Sequence, residues 1–143
     1  MANDKLVNLL YYTDKDPLGR TPLTEEQKQK EVFEKLIKVV PRIGPKEDSQ
    51  CEITIKVAQG ITINANTEFR KVKIEIEVFV PLTQWLIKNS NLRPFAITGE
   101  IEESLHNKEI VGLGKIQGGD FELNFFSEEN SNYIMTFWIT VYG

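Results

Sequence analysis

Between Val72 and Val80 the chain reads VKIEIEVFV, an almost unbroken alternation of apolar and polar residues that Pro81 ends. A period of two sets Val72, Ile74, Ile76, Val78 and Val80 on one face of a strand, with Lys73, Glu75, Glu77 and Phe79 on the other. Two shorter runs precede it. CEITIKV aligns Cys51, Ile53, Ile55 and Val57; after a break at AQG, ITINA repeats the period with Ile61, Ile63 and Ala65. Short connections between the three runs predict an antiparallel meander. Near the end, DFELNFF and YIMTFWITVYG flank the polar turn SEENSN and predict a hairpin. Its last strand sets Tyr133, Met135, Phe137, Ile139 and Val141 against Ile134 and Trp138 on the opposite face.

Other stretches follow the helical period. Thr24 with Gln27 forms a capping-box pattern, and Thr21 before Pro22 offers another start. Val32, Phe33, Leu36, Ile37 and Val40 then share one side, which predicts a helix over 24–40 ended by Pro41. Ile97, Ile101 and Leu105, spaced by four, predict a second helix near 96–106 with Glu102 and Glu103 in solvent and Asn107 as its stop. A short Gly-bearing strand follows. DKLVNLLYY is too short to decide between a helix and an extended arm, and PLTQWLIKNSN reads as a short helix or helical turn. DKDPLGRTPL (14–23) and PRIGPKEDSQ (41–50) are turn-rich polar loops. The expectation is a single α+β domain over 1–143: a mostly antiparallel sheet with two amphipathic helices packed on one face.

Composition narrows the class. The 143 residues are 41% hydrophobic and 27% charged, the balance of a folded domain. A net charge of -4 argues against wrapping nucleic acid through a basic surface. Cys51 is the single cysteine, so no intrachain disulfide forms. MANDKLVNLLYY lacks the basic start and cleavage site of a signal peptide, and no apolar run is long enough to span a membrane. A soluble domain, intracellular or assembled inside the cell, is expected.

Catalysis has little to stand on, and neither metal nor cofactor is expected. His106 is the only histidine, placed to meet the last carbonyls of its helix. Cys51 opens a strand with no basic neighbour in sequence to stabilise a thiolate. Glu100, Glu102 and Glu103 only partly share a helix face, and Glu75 and Glu77 with Lys73 read as a solvated strand face. In GLGKIQGG, Gly114-Lys115-Ile116 lacks the hydroxyl residue that a phosphate loop requires. Arg20, Arg42, Arg70 and Arg93 are scattered among different elements, with no interleaved basic and aromatic stripe. What does stand out is apolar surface on the second faces of the strands: Phe79, Ile134 and Trp138. With Arg20, Arg42 and the loops at 14–23 and 41–50, these are the candidate interface positions.

The stretch from Phe69 to Gly114 resembles the small neck and tail-completion proteins of long-tailed bacteriophages, of tail-terminator type. The matching features are Arg70 leading into the strand Val72–Val80, Pro81, a short segment with Trp85, Arg93 introducing the helix around Ile97–Leu105, Asn107, and the glycines Gly112 and Gly114. The resemblance implies a virion protein, assembled in the host cytoplasm, that forms a ring, expected to be hexameric, on the tail tube at the head–tail junction. It implies as partners other copies of the chain, the tail tube protein and the head connector or head-closure protein. Double-stranded DNA would pass the lumen without specific binding, and no membrane is involved. Another neck or baseplate adaptor, or a small enzyme, is the alternative reading.

Overall fold

A computed structural model describes residues 3–39, 50–63, 66–106, 108–110, 114–126 and 129–142. Val40, Pro41, Arg42, Ala65, Asn107 and Gly112, all named above, lie outside the described residues.

The N-terminal stretch is a helix, α1 (Asp4–Tyr11), capped by Asn3, whose Oδ1 accepts from the Leu6 amide at 3.0 Å. Its Leu6, Val7, Leu9 and Leu10 are buried, each contributing about 1.5–3 kcal/mol of apolar burial. This tertiary payoff makes a helix of eight residues worthwhile where isolated propensity would not. Thr24 and Gln27 form the expected capping box, 3.2 and 3.0 Å in the two directions.

The helix that starts there is shorter than its pattern. One α-turn, α2 (Glu25–Gln27), widens into a π-helix over Lys28–Phe33, and Ile37–Lys38 leave as strand β1, parallel to the next strand. Leu36 offers its carbonyl to the Ile53 amide at 2.7 Å. Val32 and Leu36 are buried as the apolar pattern demands. The open edge of a neighbouring strand, not helix propensity, decides the backbone beyond them.

Two long strands follow, not three. β2 (Glu52–Ile63) runs straight through the Ala58–Gly60 segment, which interrupts the ladder only as a bulge between Val57 and Gln59. A bulge absorbs one extra residue while keeping the ladder, so the break in alternation there is not a turn. β3 (Asn66–Pro81) is the long alternating run. After a 3-10 turn at Leu82–Gln84 and a small ribbon of β4 (Leu86–Ile87) and β5 (Asn91–Leu92), helix α3 spans Arg93–Leu105 with Pro94 in its first turn. The Gly-bearing segment divides into β6 (Glu109–Ile110) and β7 (Gly114–Phe126), and β8 (Asn130–Tyr142) closes the expected hairpin with β7.

The fold is α+β, with strand order β1-β2-β3-β8-β7-β6, antiparallel except for β1 beside β2. β3 lies inside the sheet, paired with β2 on one side and β8 on the other. The register makes continuous rows across it. On the helix side, Ile55, Ile76, Met135 and Phe121 form one row, and Ile53, Val78, Tyr133 and Leu123 the next. On the outer side, Lys38, Thr54, Glu77, Ile134 and Glu122 form a third. The core lies between the helix side of the sheet and α1 and α3, where Ile97 and Ile101 are buried and Glu102 and Glu103 exposed, as expected.

Two glycines shape β7. Gly118 and Gly119 have φ of 110° and 114°, a conformation L side chains avoid. A Cβ on Gly118 would stand 2.6 Å from the Thr136 carbonyl oxygen. The bulge between Gly118 and Asp120 therefore needs glycine.

Candidate functional site

The residues singled out for chemistry stay apart. Cys51 is fully buried, its Sγ 3.5 Å from Gln84 Oε1. The main-chain amide of His106 donates to the Glu102 carbonyl of its own helix at 2.8 Å, while its imidazole turns to β7, with Nδ1 2.9 Å from the Gly118 carbonyl at an exposed site. Glu100 accepts from Asn3 Nδ2 at 3.2 Å, and Glu102 and Glu103 are exposed. Glu77 pairs with Lys56 on β2 at 3.1 Å, the cross-strand pairing expected of that face. Among the described residues, no three of His, Cys, Asp and Glu gather as a metal site would require.

The arginines take different roles. Arg20 is exposed and bridges Asp14 at 2.6 Å. Burial pushes the Asp14 carboxyl up, but the Arg20 hydrogen bond, the Asp16 amide and the arginine charges outweigh it, leaving the pKa below the usual carboxylate range. Arg93 is fully buried. Its Nε donates to the Gln84 carbonyl, and its Nη atoms donate to the carbonyls of Leu9, Tyr12 and Asp14, at 2.6 to 2.8 Å. Desolvation lowers its pKa, and the nearby Asp14 carboxylate counters part of the shift. The loop at 14–23 is held by the fold itself: Asn8 Nδ2 donates to the Arg20 carbonyl at 3.1 Å, and the Tyr12 hydroxyl to the Thr21 carbonyl at 2.8 Å.

Phe79, Ile134 and Trp138 lie on the outer face of the sheet, each half-buried. Lys71 and Lys73 place their Nζ atoms 4.8 and 6.0 Å from the Trp138 ring centre. Lysine stems covering an indole shield much of its apolar area, and the charge over the ring face adds cation–π attraction.

The largest exposed apolar groups lie elsewhere. Phe95 on α3 and Phe121 on β7 are 44% and 42% exposed, and Leu123 beside them 51%. With Tyr133, Phe95 and Phe121 form a triangle whose ring centres are 5.7 to 5.9 Å apart. That is the range of favourable edge-on and tilted contacts. Tyr133, at its base, is buried, and burial raises its phenol pKa. Toward the other end of the same rows, between the sheet and helices α1 and α3, lies a mainly apolar groove of about 110 Å³, lined by Leu6, Ile37, Ile53, Ile55, Ile76, Ile101, Ser104 and Leu105. Val57, on the same strand as Ile55, is 72% exposed.

Neither feature is visible in the alternation alone. Phe121 and Leu123 fall on the face that the pattern assigns to the core, and only the helix layer's limited reach leaves them uncovered.

A comparison with curated proteins finds no match. A family model, YomW, matches residues 3–141 and so takes in every element from α1 through nearly all of β8. This chain belongs to the YomW family and is a phage-related protein.

Proposed function

We propose that this protein is a structural component of the phage particle. It assembles as a ring at the head–tail junction, closes the tail tube and joins it to the head connector, with DNA passing through the lumen. The observation that carries the reading is a sheet that outreaches its helical cover. Phe121 and Leu123, with Phe95 of α3 beside them, are left exposed at one margin and Val57 at the other, and exposed apolar groups that cluster in this way belong at an interface. Family membership supplies the phage context. The net charge of -4 favours a channel that DNA traverses without adhering. In this reading the chain has no catalytic role and needs no cofactor. Its partners are other copies of itself, the tail tube and the connector.

Deleting the chain from its phage and imaging the lysate tests this. Filled heads separated from tails of irregular length are the expected result. Particles with normal, attached tails would overturn the proposal.

A further inference from the structure

We infer that neighbouring copies associate head to tail by seating the Phe95–Phe121–Leu123 knob of one copy in the β1–β2 groove of the next. The inference builds on the proposed assembly and names the surfaces that form it. Knob and groove terminate the same rows: Phe121 is at one end and Ile55 at the other of one, and Leu123 and Ile37 end the next, in which Ile37 pairs with Ile53. Both lie on the helix side of the sheet. Displacing one copy sideways, across the strands, therefore brings the knob of one against the groove of its neighbour at the same level.

Size and charge agree. A groove of about 110 Å³ is the scale of one aromatic ring, since an engineered cavity of about 150 Å³ takes up benzene. On the outer face, the third row ends in exposed Lys38 on the groove side and exposed Glu122 on the knob side, with exposed Asp120 nearby. Opposite charges thus meet on one face while apolar groups meet on the other. Continuous strand pairing between copies is disfavoured, because β2 carries a bulge between Val57 and Gln59 and β7 carries bulges at Gly118/Asp120 and Leu123/Phe125. Side-chain docking remains. The two surfaces differ, so the contact is heterologous and repeats until it closes.

Sedimentation velocity of the whole chain and its variants tests this, with circular dichroism to verify folding. Phe121→Asp removes the knob and Ile55→Trp fills the groove. Each variant alone should sediment as a monomer. A one-to-one mixture should give a dimer, because one intact knob and one intact groove remain. At an exposed position that leaves the core untouched, Glu122→Lys should weaken association about tenfold. Wild-type assembly undiminished by all of these substitutions overturns the docking and leaves the head–tail role standing. A wild-type chain that stays monomeric at every concentration also overturns the docking, and the phage deletion then decides the role separately.

Discussion

Arg93 donates through Nη1 to the main-chain carbonyl of Leu9 at 2.6 Å, joining residues 84 positions apart. Leu9 lies in the last turn of α1, where carbonyls have no helical partner. A buried guanidinium beside them supplies the missing donors and the positive charge that a helix C-terminus favours. The same side chain reaches the carbonyls of Tyr12, Asp14 and Gln84, so one residue fastens α1 and the loop after it to the start of α3.

Replacing Arg93 with Met should therefore destabilise the protein by about 3–5 kcal/mol, since several buried carbonyls lose their donors together. Arg93→Lys should recover only part of this, because an ammonium lacks the planar fork. Urea unfolding measures both. A midpoint for Arg93→Met equal to wild type would refute the assigned role.

Gly118→Ala should cost about 2–4 kcal/mol, combining a disfavoured φ with a collision against main chain. Gly119→Ala should cost less. Its added Cβ would meet the Glu102 side chain at 3.0 Å, which can swing away, whereas the Thr136 carbonyl facing Gly118 cannot. Thermal unfolding of the two variants side by side gives the order, and the reverse order would contradict this account of the bulge.

The Lys28 side chain is buried between Asp4 and Glu25, and hydrogen bonds to those carboxylates raise its pKa above the ordinary 10.5. A raised folded-state pKa gives stabilisation fully present below the unfolded value and lost as pH rises through the folded one. Melting temperature should accordingly decline on the alkaline side, above about pH 10. Lys28→Met should remove this component of the decline while lowering stability at neutral pH. An unchanged alkaline slope in the variant would rule out the linkage.

Cys51 should resist thiol reagents in the native protein and react only as fast as the chain opens. It is fully buried against Gln84, and a buried thiol with no path to solvent is inert. Labelling with a disulfide reagent across a urea series should track unfolding measured by fluorescence. Prompt labelling without denaturant would show that the strand start opens locally.

The alternation of residues 72–80 determined a strand with two faces, and the same period fixed which side of β8 enters the core: Tyr133, Met135, Phe137 and Ile139 are all buried. The capping box at Thr24 and the acidic side of α3 were also legible, because caps and amphipathic spacing are local properties of a few consecutive residues. Everything that depended on a distant neighbour was not. Helix 24–40 shortened because the edge of β2 offered hydrogen bonds to Ile37–Lys38. The gap at Ala58–Gly60 became a bulge because β3 continued alongside it. Arg93 looked like one scattered arginine until folding placed three carbonyls from the N-terminal segment around it. The exposed knob of Phe95, Phe121 and Leu123 depends on where the helix layer stops. Periodicity says which face a side chain takes; only the relative lengths and positions of packed layers decide whether that face is covered.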